Sequence, residues 1–145
     1  MKELVGAIVH KMSVNEDESV LKFETDRGDK FFVAYGDCCS ETWFADILIQ
    51  NNFTGLRVIE VVDLELPNFV QKLIEADGRT RQEYDTVYGY RVKLKDDKTW
   101  QWSEIEIIFR NSSNGYYGGS VDFNTSVPSH LDSKNWTEIT KDWQA

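Results

Sequence analysis

The stretch Ile105-Glu106-Ile107-Ile108-Phe109 decides the fold, and it leads directly into Arg110-Asn111-Ser112-Ser113-Asn114-Gly115-Tyr116-Tyr117-Gly118-Gly119. β-Branched and aromatic residues favour strands, and Ile105, Ile107 and Phe109 share one face because strand side chains alternate. The glycines of the polar stretch permit left-handed backbone and the close approach of another group. We therefore predict a strand that ends at Arg110 and a polar loop, Asn111–Gly119.

The same strand is predicted to form the second arm of a hairpin, Asp85–Arg110, which turns at about Asp96-Asp97-Lys98. With Asp97-Lys98 as a two-residue loop, Lys93 lies across from Trp102 and Arg91 lies across from Glu104. The face that carries these side chains holds two tryptophans beside several cations, which is more than solubility requires.

Further strands are predicted on both sides of this hairpin from alternating apolar and polar residues. They are Leu4–Val14, the hairpin Ser19–Thr25 with Lys30–Tyr35, Leu56–Leu66 and Ser120–Phe123. The tail Trp136–Trp143 is predicted to dock on the body through its tryptophans.

Two short helices are predicted between the strands. The first is Glu41–Ile49, with Ser40 as its N-cap and with apolar residues three and four positions apart, namely Trp43, Phe44, Ile47 and Leu48. The second is Pro67–Asp77, for which a charged, flexible loop is the alternative. The predicted fold is α+β: a single domain, 1–145, with one twisted antiparallel sheet of six or seven strands and one or two short helices packed at one side.

Charge and composition exclude several classes of function. The net charge of −9 disfavours long DNA or RNA, whose binding depends on phosphate neutralisation, although a small nucleotide needs only a few local cations. The sequence has no run of 18 apolar residues and no secretory segment, so we expect a cytosolic protein without a membrane partner. Two adjacent cysteines, Cys38 and Cys39, cannot form an ordinary framework disulfide with each other.

The polar loop is the main candidate binding site. Its amides and Arg110 can hold phosphates or ribose hydroxyls, and Tyr116 or Tyr117 can stack on a base, a contact worth roughly 1–3 kcal/mol. The alternative is a turn whose asparagines satisfy their own backbone. The candidate ligand residues are Arg110, Asn111, Ser112, Asn114, Tyr116 and Tyr117, with Trp102 and Arg91 on the hairpin face.

Catalytic and metal sites are less well supported. A thiol at Cys38 or Cys39 needs a histidine base, and only His10 and His130 exist in the sequence. Adjacent cysteines and two distant histidines do not match zinc-ligand spacing, and small buried residues at a turn are the simpler interpretation. Glu104 and Glu106 share a face but are expected to pair with cations such as Arg91. We therefore predict no catalytic residues, no metal and no cofactor.

Two motifs resemble a small domain family of unassigned function from bacteria and their phages. They are Gly36-Asp37-Cys38-Cys39-Ser40 with Trp43, and Phe109–Gly119 preceded by Tyr88-Gly89-Tyr90. In size and organisation the chain also resembles the phage Thoeris anti-defence sponge proteins, which bind cyclic ADP-ribose isomers without cleaving them and work as oligomers. That resemblance implies Arg110, Asn111 and Asn114 as polar contacts, with Trp102, Tyr116 or Tyr117 as the stacking platform.

Residues and resemblance together lead to one principal function hypothesis. The protein is expected to be a non-enzymatic, homo-oligomeric sponge that sequesters a cyclic ADP-ribose isomer or a cyclic oligonucleotide in the cytoplasm of a bacterial host. A second hypothesis is an interaction protein that inhibits a host enzyme through an acidic, aromatic surface. A third is an enzyme that uses Cys38 or Cys39.

Overall fold

The computed structural model describes residues 1–36, 40–64, 84–113, 119–131 and 134–145. These residues form one sheet of ten strands, in which every paired neighbour is antiparallel. The strands are β1 (Ile8–Asn15), β2 (Val20–Thr25), β3 (Gly28–Gly36), β4 (Glu41–Gln50), β5 (Leu56–Leu64), β6 (Tyr84–Lys95), β7 (Trp102–Ser113), β8 (Gly119–Asn124), β9 (Trp136–Glu138) and β10 (Trp143–Gln144). Short 3₁₀ turns cover Lys2–Leu4 and Ser129–Leu131.

The strand order is β10-β4-β7-β6-β5-β1-β2-β3-β8, and β9 pairs with β1. The part of the chain that the structure describes contains no α-helix, so the α+β prediction and its count of six or seven strands are wrong. None of the described helical turns is long and apolar enough to cross a membrane. The predicted helix Pro67–Asp77 lies outside the described residues.

The predicted helix Glu41–Ile49 is strand β4. Trp43 and Phe44 are both buried, but they point to opposite faces of the sheet, Phe44 into the core and Trp43 towards Arg110. A strand with two buried faces carries apolar residues at nearly every position, and this pattern imitates helical spacing. Pairing with β7 along its length supplies the backbone hydrogen bonds that a helix would have made internally.

The two predicted hairpins are confirmed, but the register of the second is shifted. Its turn extends from Asp96 to Gln101, closed by a 2.9 Å hydrogen bond from Asp96 N to Gln101 O. Arg91 consequently lies across from Glu106, and Trp102 lies across from Lys95. The turn is longer than two residues because Asp96 Oδ1 accepts from Lys98 N at 3.0 Å and Thr99 Oγ1 accepts from Gln101 N at 3.2 Å.

The sheet curls so that one of its faces encloses the core. This core face carries Phe23 and Phe32 from β2 and β3, and Ile107 from β7, within a single apolar cluster. A 2.8 Å hydrogen bond from Phe44 N to Glu18 O joins β4 to the β1–β2 turn across the curl. The tail docks as predicted, since Trp143 packs against this cluster.

Candidate functional site

The end of β7 is a buried polar segment. Arg110, Asn111 and Ser112 each have at most 1% of their surface exposed, and Ser113 is also buried. The pairing with β4 reaches Ser112, and the pairing with β6 reaches Ser113. Strand β7 therefore continues through Ser113 rather than ending at Arg110, because both flanking strands extend far enough to bond this backbone.

Arg110 lies against Trp43 on the second face of the sheet, the face opposite the core. The two residues are directly paired between β4 and β7, and the guanidinium carbon lies 5.3 Å from the centre of the Trp43 ring. A desolvated cation–π contact of this kind is worth about 2 kcal/mol. The planar guanidinium also matches carboxylate and phosphate geometry through two parallel hydrogen bonds. The end of β7 thus carries a buried cation suited to an anionic group.

Ser112 lies two residues further along the same face, because side chains alternate along a strand. Its hydroxyl oxygen is buried, and among the described residues it has no hydrogen-bond partner. A buried polar group without a partner costs about 1–3 kcal/mol. A ligand atom that bonded this hydroxyl would remove the cost.

Asn111 points to the core face and holds strands together. Its Nδ2 donates to Thr42 Oγ1 at 2.8 Å and to Glu41 O at 3.4 Å. Gly119, the first residue of β8, packs closely on the same pair. A Cβ at Gly119 would overlap Thr42 Oγ1 and lie 2.7 Å from Asn111 Nδ2. The structure therefore assigns the Asn111 amide to the joint between β4, β7 and β8.

Arg91 lies on the same face as Arg110, and it pairs with two carboxylates of β7. Its Nη2 donates to Glu106 Oε1 at 2.9 Å, and its Nε lies 3.8 Å from Glu104 Oε2. Glu106 precedes Arg110 by four residues, about 13 Å along the strand. The two arginines therefore do not act on one small group.

Trp102 lies at the opposite end of β7, eight residues and about 26 Å from Arg110. There it borders a groove of about 490 Å³, together with Trp100, Gln101, Asn51, Asn52 and Thr54. A small ligand at Arg110 cannot also reach Trp102 of the same chain. The structure thus separates residues that the sequence had grouped into one site.

Three of the predicted ligand residues, Asn114, Tyr116 and Tyr117, lie outside the described residues, as do Cys38 and Cys39. Among the residues that are described, no group of three or more His, Cys, Asp or Glu side chains is arranged to hold a metal ion. The candidate site is therefore argued from Arg110, Ser112 and their neighbours in the sheet.

Asp46 was missed by the sequence reasoning because it fell within a predicted helix. It lies opposite Ile108 in the β4–β7 pair. Burial raises the pKa of Asp46, a backbone hydrogen bond at Ile47 lowers it, and the charges of Asp142 and Glu106 raise it again. These crowded carboxylates make the β10 edge of the sheet unfavourable for an anion.

Comparison with known proteins places the chain in a family. Residues 2–123 match the model of a domain of unknown function, DUF7448. The chain belongs to the DUF7448 family. An uncharacterised protein of Acanthamoeba polyphaga mimivirus is similar to it, with 31% identity over 117 residues that cover 79% of this chain and 84% of that protein. No solved structure matches the chain.

The DUF7448 match includes both ends of β7, whereas β9 and β10 follow it. Both the Arg110 segment and the Trp102 groove therefore belong to the part of the chain that defines the family. Membership confirms the coarser prediction made from the motifs, a small domain family without an assigned function. The mimivirus protein is thus a viral protein that resembles this chain.

Proposed function

We propose that this DUF7448 protein is a non-enzymatic binding protein that sequesters a small nucleotide-derived signal. The ligand class is a cyclic ADP-ribose isomer or a cyclic oligonucleotide, and the protein acts as a homo-oligomeric anti-defence sponge in the cytoplasm of an infected bacterium. The proposal rests on the resemblance to Thoeris anti-defence sponges and on the chemistry at the end of β7.

The single observation that carries the proposal is the buried Arg110 guanidinium stacked on Trp43. A phosphate accepts two parallel hydrogen bonds from such a fork, and the low dielectric of a buried site strengthens the attraction. The Ser112 hydroxyl on the same face offers a further donor. Arg110 and Ser112 are closed to solvent in the free protein, so a phosphate that contacts them directly must displace the groups that now cover them.

The charge distribution supports a local rather than a general attraction for phosphate. The net charge is −9, and the carboxylates of Asp46, Glu106 and Asp142 crowd the β10 edge. An anion is therefore repelled from most of the surface and needs a site with its own cation. Arg110 is a buried cation at the end of β7, and the charge of Arg91 is balanced by Glu104 and Glu106.

Sequestration without turnover is supported by what the carboxylates of β7 do. Glu104 and Glu106 pair with Arg91 across the β6–β7 ladder, an arrangement that stabilises a sheet. General acid–base catalysis instead needs a group whose proton is free to transfer at the reacting atom. The proposal accordingly expects the ligand to be released unchanged.

The direct test is to mix the protein with each messenger, remove the unbound fraction by filtration, denature the protein by heat and identify the released compound by mass spectrometry. We expect recovery of intact messenger in proportion to the protein. Recovery of a cleaved product contradicts sequestration. Failure of every cyclic ADP-ribose isomer and cyclic dinucleotide to bind refutes the ligand class, and a stoichiometric protein complex in its place favours the enzyme-inhibitor alternative.

Variants locate the ligand within the chain. Tyr116→Ala and Tyr117→Ala are expected to weaken binding by about 1–3 kcal/mol for the ring that stacks on a base, or roughly five- to 150-fold in Kd. Arg110→Lys should also weaken it, because an ammonium group cannot make the paired contact of a guanidinium. Arg91→Lys is the matched control and should bind as the parent does. Equal loss in both arginine variants would place the ligand away from the end of β7.

A further inference from the structure

The groove beside Trp102 is built from two turns at the end of the sheet remote from Arg110. One wall is the β4–β5 connection with Asn51, Asn52 and Thr54, and the other is the β6–β7 turn with Trp100 and Gln101. Its volume of about 490 Å³ falls within the range of small-molecule sites.

Both walls are fixed by hydrogen bonds within the fold. Ser103 Oγ lies 2.8 Å from Gln50 O and 2.9 Å from Asn51 O, and so ties the start of β7 to the opposite wall. Asn52 Oδ1 accepts from Thr54 N at 3.0 Å, and Asp96 N donates to Gln101 O at 2.9 Å. A groove held in this way needs little ordering when a ligand enters, which favours affinity.

The indole rings at this groove are exposed to an unusual degree. Trp100 is 91% exposed and Trp102 is 43% exposed, although tryptophan is highly buried on average in folded proteins. The Lys95 ammonium lies 5.9 Å from the centre of the Trp100 ring. Exposed flat rings on a fixed turn offer stacking surfaces at a small cost in conformational entropy.

The lining of the groove carries no formal charge. Its six residues are two tryptophans, three amides and one threonine, in a protein of which 28% of the residues are charged. Amides and hydroxyls donate and accept hydrogen bonds equally well and so match ligand hydroxyl groups. Two carboxylates, Asp96 and Asp97, occupy the adjoining turn. A backbone hydrogen bond from Lys98 lowers the pKa of Asp96, and a hydrogen bond from Arg57 lowers the pKa of Asp97, so both carboxylates are ionised at neutral pH. The charge of Asp97 is paired with Arg57 at 2.8 Å.

We propose that this groove is a second binding site, one that takes the pyranose ring of a neutral carbohydrate. A pyranose presents an apolar face of C–H groups, which stacks on indole, and a rim of hydroxyls, which bonds to amides. Trp100 and Trp102 supply the stacking surface, and Asn51, Asn52 and Gln101 supply the hydrogen bonds. The site is independent of Arg110 and of the nucleotide ligand.

The test is a titration of the full chain with lactose, cellotriose, mannotriose and chitotriose, followed by intrinsic tryptophan fluorescence and by saturation-transfer NMR of the sugar C–H protons. We expect saturable binding of at least one sugar, and Trp100→Ala and Trp102→Ala should each weaken it roughly tenfold. Ile59→Ala removes an exposed apolar side chain outside the groove and is the matched control. A glycoprotein that carries the same terminal sugar distinguishes an attached glycan from a free oligosaccharide.

Several outcomes overturn the proposal. They are the absence of saturable binding by all four sugars, binding that survives both tryptophan substitutions, and preferential quenching by AMP or ADP. A change of oligomeric state in Trp100→Ala without any sugar binding would instead show that the rings join two copies of the chain. Sugar binding that persists in Tyr116→Ala and Tyr117→Ala would show that this site is distinct from the proposed nucleotide site.

Discussion

Arg110 is a buried charge and Asp46 is a half-buried charge on the neighbouring strand, and their surroundings are opposite in effect. Arg110 lies against the electron-rich face of Trp43, which favours its cation. Asp46 loses solvation and also faces the negative charges of Asp142 and Glu106, which disfavour its anion. The environment of each charge follows from the β4–β7 register, so neither environment could be predicted from the local sequence.

Asp46→Asn is expected to stabilise the protein at neutral pH. Because the pKa of Asp46 is raised above 3.8 in the folded state, the folded protein binds more protons than the unfolded chain in the interval between the two values. The contribution of Asp46 to stability is therefore greatest below pH 3.8 and is lost as the pH rises through the raised pKa.

Urea unfolding at pH 3 and pH 7 measures this effect. The gain in the free energy of unfolding for Asp46→Asn should appear at pH 7 and vanish at pH 3. Asp122→Asn, an exposed change of the same charge on β8, is the control for the overall reduction in net charge. Equal gains for the two variants at pH 7 would show that Asp46 is not selectively destabilised by its surroundings.

At the scale of the element, the local hairpins could be predicted and the identity of β4 could not. The hairpin β2–β3 is defined by a turn and two alternating arms that are close in sequence. β4 pairs instead with β7, with Glu41 opposite Ser112, about 70 residues later in the chain. Its apolar residues on both faces can be interpreted as those of a strand only once the pairing with β7 is known.

The same long-range pairing explains why the candidate site differs from the predicted loop. Asn111 and Ser112 have the composition of a loop, and serine and asparagine favour turns in isolation. β4 and β6 nevertheless extend beside them, and their backbone hydrogen bonds make this segment part of β7. The sequence placed Arg110, Asn111 and Ser112 side by side, but the burial of these residues and their separation from Trp102 were not predictable from residue types.

Strand β10 is short, and its Trp143 side chain reaches the apolar core. Trp143 lies opposite Ile47 and packs against the core cluster. Trp143→Ala is expected to lower the free energy of unfolding by about 2 kcal/mol, less than full truncation of a core tryptophan because the ring is only partly buried. Urea denaturation followed by circular dichroism measures the change.

Trp100→Ala is the matched control for Trp143→Ala, because its ring is almost fully exposed. Its effect on the free energy of unfolding should lie within about 0.5 kcal/mol of zero. Similar losses for both tryptophans would contradict the docking of β10 on the core.

For the whole molecule, the decisive feature is the curl that brings distant strands of one sheet together. β8 ends the strand order, and β4 is the second strand from the other end, yet Gly119 of β8 packs on Thr42 of β4. The Phe44–Glu18 backbone hydrogen bond likewise joins β4 to the β1–β2 turn across the curl. A side chain at Gly119 would occupy the space that this contact requires.

Gly119→Ala is therefore expected to destabilise the fold by about 1–3 kcal/mol, the usual cost of overpacking a closed joint. Thermal unfolding measures the change, and a separate loss of ligand binding would indicate that the joint also positions the end of β7. Ser120→Ala, at the exposed neighbouring position on β8, is the control. A Gly119→Ala protein as stable as the parent would show that β8 and β4 separate without cost.

The sequence by itself determined the strands with local partners, the tendency of the tail tryptophans to dock, and the acidic charge that disfavours long nucleic acids. Those properties depend on residue type and short-range alternation. Only the tertiary structure decided that Glu41–Gln50 is a strand, that Arg110 is buried against Trp43, and that Trp102 belongs to a different groove. Each of these depends on which strands pair across the curled sheet, and such pairing is set by the burial of both faces of β4 and by the close packing at Gly119.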